Sequence, residues 1–145
     1  MKRICLSLLV GVSFAWSYQV GDKIDEEIMK KLQLQKEKTY VIDFFASWCV
    51  SCKKELPLIE KLSQKGVTVV GVDVDEDVAK GKAFQKELGL GFSVVDDPKG
   101  EIISRFDPVG MPAVYIVKKG KVVDWVLGAK DNIDELLLAK LQKAE

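Results

Sequence analysis

Trp48-Cys49-Val50-Ser51-Cys52 follows the apolar run Tyr40-Val41-Ile42-Asp43-Phe44-Phe45. It precedes Lys53-Lys54-Glu55-Leu56, which opens a run with helical spacing. Two cysteines three apart therefore stand where a strand hands over to a helix. Residues i and i+3 share one face of a first helical turn, so two thiols there can close a small disulfide ring with little backbone movement. Cys49 falls at the helix N-terminus, where free N–H groups and the helix dipole favour negative charge. Such a place stabilises a thiolate, the reactive form of cysteine.

Working outward, the 145 residues suit one domain, long enough to bury a core without staples. Basic and acidic residues balance at 22 each, so no basic face argues for nucleic acid. The first seventeen residues differ in character. Lys2 and Arg3 form a positive start, Ile4 to Trp16 runs apolar or small without charge, and Ala15-Trp16-Ser17 places small residues two apart. That pattern reads as a secretory signal over residues 1–17, cleaved after Ser17, with the mature domain over 18–145. An uncleaved membrane anchor or a core helix is the alternative, although the run is short against the roughly 20 residues a span needs. Cys5 comes too early for a lipoprotein site. Cleavage would remove Lys2 and Arg3, leaving 20 basic and 22 acidic residues and a net charge of −2.

Cleavage would also remove Cys5, one of three cysteines, in a chain without histidine. A structural zinc site needs about four Cys or His ligands, so no metal is expected at Cys49 and Cys52. A disulfide scaffold needs more cysteines. What remains is a redox pair in an exported protein.

Ile24, Ile28, Met29 and Leu32 predict an edge helix over residues 25–35, capped by Asp22 or Asp25. Tyr40 to Phe45 is apolar on both faces apart from Asp43 and predicts a buried central strand. A helix follows over residues 50–64, with Leu56 and Ile59 on its apolar side, Pro57 inside it and Gly66 at its end. Val67 to Val74 is a second buried strand, so strand, helix and strand make a parallel βαβ unit. Asp75-Glu76-Asp77 caps a helix over 77–88. A short strand over 92–95, a turn at Asp97 to Gly100 and a helical piece over 101–106 come next. After the breaker-rich Asp107-Pro108-Val109-Gly110-Met111-Pro112, strands over 113–117 and 122–127 form a hairpin. Asp131 or Asn132 caps a last helix with Ile133, Leu136, Leu137 and Leu141 at core spacing.

This order is similar to the thioredoxin fold: α/β, with a central mixed sheet flanked by helices. Asp43-Phe44-Phe45-Ala46-Ser47-Trp48-Cys49-Val50-Ser51-Cys52-Lys53 resembles the thioredoxin active-site segment. Pro57 matches its helix-kinking proline, Pro112 its cis-proline, and Ala113 to Val123 its hairpin. The extra helix and strand between the βαβ unit and the cis-proline hairpin, with a signal segment, resemble the TlpA/ResA branch of exported thiol–disulfide oxidoreductases. Several of those serve cytochrome c maturation. Asp43 matches thioredoxin and the C-terminal domain of the DsbD electron carrier, where cytochrome-maturation members commonly carry Asn. Val50-Ser51 lacks the proline common in this loop, and Gly71 falls about where thioredoxin has a lysine near its buried Asp.

Geometry makes Cys49, at the exposed helix end, the nucleophile and Cys52, inside the first turn, the resolving thiol. Asp43 between Ile42 and Phe44 is expensive to bury, and desolvation would raise its pKa, fitting it to deprotonate Cys52 through a water. An Asp that bends out to solvent at the strand end is the other reading. Sequence alone makes the bond before Pro112 trans; the resemblance implies cis, with the Met111 backbone open to an extended substrate strand. Trp48 and Met111 are expected to form the contact surface.

No charged residue or histidine stands between the cysteines, so a reducing poise is expected rather than that of a strong oxidant. The expected function is a periplasmic disulfide reductase acting on exported proteins, apocytochrome c among them. Its electrons would come from a membrane thiol carrier of DsbD or CcdA type, because the chain holds no nicotinamide or flavin motif and implies no cofactor. A periplasmic oxidant or isomerase, or a non-catalytic binding module, is the rival reading. Neither cysteine sits in the Thr-x-x-Cys context of peroxide chemistry.

Overall fold

A computed structural model describes residues 17–145. The segment over residues 1–17 expected to be a secretory signal, including Cys5, lies outside the described residues apart from Ser17. The elements are α1 (Glu26–Lys31), β1 (Thr39–Phe45), α2 (Val50–Gln64), β2 (Val69–Asp73), α3 (Val78–Glu87), β3 (Ser93–Asp96), α4 (Ile103–Phe106), β4 (Ala113–Lys118), β5 (Lys121–Leu127) and α5 (Ile133–Lys143). One five-stranded sheet has the order β3-β2-β1-β4-β5. β1, β2 and β3 run parallel, whereas β4 is antiparallel to both β1 and β5. The sheet is therefore mixed, and the inserted α3–β3 unit adds a third parallel strand at one edge.

β1 is central and buried because both its faces are apolar. Ile42 and Phe44 point into one core with Tyr115, Phe106, Ile28 of α1 and Leu32 just after it. Val41 and Phe45 point into the other, with Cys52, Leu56, Ile59 and Leu62 of α2 and Ile133 and Leu137 of α5. Side chains alternate along a strand, so Asp43 shares the face of Val41 and Phe45 and lies under α2. Leu56, Ile59 and Leu62 each stabilise by roughly 1.5–3 kcal/mol on full burial, which fixes the active-site helix against the sheet.

Boundaries follow local chemistry. α1 stops four residues before the predicted end, because Gln33 turns left-handed at φ 55°. Gln33 N–H bonds Lys30 O and Leu34 N–H bonds Met29 O, the paired bonds of a Schellman close. Asp25, one of the two predicted caps, accepts from Ile28 N–H. At α5 the cap expectation fails in detail. Asn132 occupies the cap position without a side-chain bond, and Asp134 and Glu135 in the first turn supply the negative charge there. The β4–β5 hairpin turns on Lys119-Gly120, both at positive φ, the geometry that matches strand twist in a two-residue loop.

Candidate active site

β1 ends at Phe45, and three residues carry the chain to Cys49, the N-cap of α2. Cys49 keeps extended backbone angles, and its Sγ accepts the Cys52 N–H at 3.2 Å. A sulfur thus occupies the position where a helix start most favours negative charge. Cys49 and Cys52 are disulfide-bonded with Cα atoms 5.2 Å apart. Cys49 is 8% exposed and Cys52 wholly buried, so an incoming group meets Cys49 first.

Trp48 and Val50 flank Cys49 and stand 66% and 73% exposed. The Met111–Pro112 peptide is cis, and Gly128 N–H bonds Pro112 O at 2.9 Å, tying that loop to the end of β5. Trp48, Cys49, Val74, Pro108 and Met111 border a groove of ≈ 370 Å³. The structure thus brings Trp48, Cys49, Met111 and the Met111–Pro112 bond to one face.

Asp43 lies on the β1 face that packs against α2. It is 2% exposed, pairs in register with Gly71 and Val114, and its Oδ1 has no hydrogen-bond partner. It does not bend out to solvent. Burial, and secondarily the charge of Glu55, pushes its carboxyl well above the usual range.

Glu55 is the residue sequence reasoning passed over. It is 3% exposed, its Oε2 accepts Lys130 N–H at 3.1 Å, and its Oε1 has no partner. Burial raises its pKa against the opposing Lys130 N–H and charge. The signal was present: Cys52, Glu55, Leu56 and Ile59 follow i, i+3, i+4, i+7, a buried helical stripe. Two buried carboxyl groups, one from β1 and one from α2, therefore lie where β1 packs against α2. Among the described residues, no group of three or more Cys, Asp or Glu side chains could hold a metal ion.

A mixed sheet of this order, a disulfide at a helix N-cap and a cis-proline on the same face define a thioredoxin-like thiol–disulfide oxidoreductase. Residues 15–126 match the model of the AhpC/TSA family, and the chain belongs to that family, among relatives that are thiol–disulfide oxidoreductases. It is similar to the thiol-disulfide oxidoreductase ResA of Bacillus thuringiensis subsp. konkukian, 34% identical over 117 residues, covering 74% of this chain and 68% of that protein. The ResA protein of Bacillus subtilis is 31% identical over 106 residues, covering 68% of this chain and 59% of that protein. Among solved structures, a Chlorobium tepidum protein assigned as the thiol:disulfide interchange protein DsbE superposes with a TM-score of 0.74 at 26% identity, covering 88% of this chain and 99% of that one. StoA from Bacillus subtilis gives 0.63 at 25% identity, covering 71% of this chain and 84% of that one.

Proposed function

We propose that the chain is an exported disulfide reductase that works in the periplasm after removal of residues 1–17. The observation that carries the chemistry is Cys49 at the α2 N-cap with Cys52 sealed beneath it. In the reduced protein the Cys49 thiolate attacks one sulfur of a substrate disulfide. The substrate S–S bond breaks, a mixed disulfide forms, and the first substrate thiolate leaves. Cys52 then gives its proton to Asp43 through a water and attacks Cys49 Sγ. The mixed disulfide breaks, the second substrate sulfur leaves as a thiolate that then takes up a proton, and the Cys49–Cys52 disulfide is restored. Two electrons have passed to substrate.

Asp43 suits the proton step because burial raises its basicity without a neighbouring cation to oppose it. Trp48, Met111 and Pro112 form the docking edge, where an extended substrate segment lies against the cis-proline loop. Recharging needs an external dithiol, supplied by a membrane carrier of DsbD or CcdA type. Substrates are cysteine pairs of exported proteins, apocytochrome c among them.

Insulin reduction in the presence of dithiothreitol tests the chemistry, with Cys49→Ala expected to be inactive. Cys52→Ala should accumulate mixed disulfides on Cys49 in the exported fraction, identifiable by mass spectrometry. A Cys49→Ala protein as active as wild type would overturn the assignment.

A further inference from the structure

Ser47 lies between the end of β1 and the nucleophile. Its N–H donates to Asp75 Oδ2 at 2.7 Å, and its hydroxyl donates to Asp75 Oδ1 at 2.6 Å. Both oxygens of one carboxylate grip one residue, two positions before Cys49. Cys49 N–H bonds Ala46 O at 3.1 Å, so Ser47 and Trp48 are the central residues of the turn that delivers the thiol. Val74 N–H bonds Phe45 O at 2.9 Å and holds the two chain segments side by side.

The grip has backing. Asp75 is 5% exposed, and burying a carboxylate is costly unless its oxygens are bonded, as Ser47 bonds them. Asp73 Oδ1 accepts Asp75 N–H at 3.0 Å, and Asp73 Oδ2 accepts Gln85 Nε2–H of α3 at 2.7 Å. α3 crosses so tightly here that a Cβ at Gly81 would lie 2.6 Å from Asp73 Oδ2. A connected series therefore runs from α3 through Asp73 and Asp75 to Ser47 and the turn before Cys49.

We propose that Asp75 is a positioning residue for Cys49, acting through Ser47 to hold the thiol over the first amides of α2. This rests on the reading of Cys49 as the attacking thiol. The charges around the pair suit the role. Burial would raise Asp75, but the hydroxyl and amide of Ser47, the Asp73 side chain and the charge of Lys80 outweigh it and hold Asp75 below the usual carboxylate range. Burial pushes Asp73 up to about 6. From β3, Asp96 shares the Gln85 amide at 3.1 Å and is bridged by Lys82 of α3 at 2.8 Å. The backbone N–H of Asp97 bonds Asp73 O at 2.7 Å. At neutral pH Asp75 is the charged acceptor, and hydrogen bonds to a charged acceptor are roughly twice as strong as neutral ones.

The test is alkylation of the reduced protein by iodoacetamide across pH 4–9, with the labelled cysteine located by mass spectrometry. Ser47→Ala and Asp75→Asn should move the midpoint of Cys49 reactivity up by about one unit, which slows labelling below that midpoint about tenfold. Ser47→Thr, which keeps the hydroxyl, should restore the wild-type profile. Ser47→Ala leaves the amide bond to Asp75 in place, so circular dichroism should show a folded protein. Folded Ser47→Ala and Asp75→Asn proteins with the wild-type profile would overturn the positioning role. Labelling of Cys52 ahead of Cys49 in the wild type would instead overturn the nucleophile assignment on which it rests.

Discussion

Asp43 stands beside Gly71 across the β1–β2 pair, the place where a thioredoxin lysine would reach the buried acid. Glu55 is the neighbour whose charge acts on it. A lysine would lower the Asp43 pKa; a second carboxyl raises it further. An acid whose folded pKa is raised holds its proton more tightly in the folded chain. Its favourable contribution is present below the unfolded value near about 3.9 and is lost as pH rises through the folded value. Asp43→Asn removes this loss, so the variant should gain stability relative to wild type between pH 4 and pH 8 in urea unfolding. The same variant should release mixed disulfides about 10²-fold more slowly, the low end of what a positioned base contributes. Residue by residue, Asp43 was legible because it interrupts an apolar strand. Glu55 was hidden because it follows Lys53-Lys54 and reads as part of a solvated charged run. Its register with Cys52 and Leu56 places it inside, and in this helix the pattern of burial outweighed the polarity of one side chain.

At the scale of elements, β2 shows how close packing replaces a side chain. A Cβ at Gly71 would lie 2.8 Å from Phe45 Cε1 and 2.9 Å from Phe92 Cε2, so two aromatic rings already fill the space. Gly71→Ala should destabilise the fold by about 1–3 kcal/mol, the usual range for overpacking, measurable as a lower urea midpoint with an unchanged slope. Helix and strand positions were readable because apolar periodicity and cap residues agree, most closely at α2, where helical spacing, Pro57 and Gly66 all mark one element. The short α1 was not. Its apolar positions continue to Leu34, which still packs against the core, while the backbone breaks at Gln33. A left-handed glutamine carries no sequence mark of the kind a glycine gives. The bare cap of α5 is a similar case, since Asn132 is the right residue type at the right position, yet its side chain makes no hydrogen bond to the helix amides.

At the scale of the molecule, the parallel pairing of β1 with β2 and the hairpin of β4 and β5 follow from connection lengths in the sequence. The antiparallel pairing of β4 with β1 does not, because partners such as Thr39↔Lys118 and Phe44↔Ala113 lie far apart in the chain and no local signal records them. That pairing brings the cis-proline loop to the end of the sheet where Cys49 stands, so the proposed docking edge is a product of topology. The proposed reducing direction turns on the groups around the Cys49 sulfur. Cys49 Sγ receives one amide hydrogen bond, from Cys52, and no histidine or charged side chain lies between the cysteines. Asp43 and Glu55 are buried acids whose carboxyl groups burial pushes up. With no further cationic group between the cysteines to stabilise the thiolate, the proposed reducing direction is the expected one. Equilibrium titration of the Cys49–Cys52 pair against dithiothreitol or glutathione tests this most directly. The expected potential lies nearer about −270 mV, as in thioredoxin, and a value near about −120 mV, as in DsbA, would contradict it.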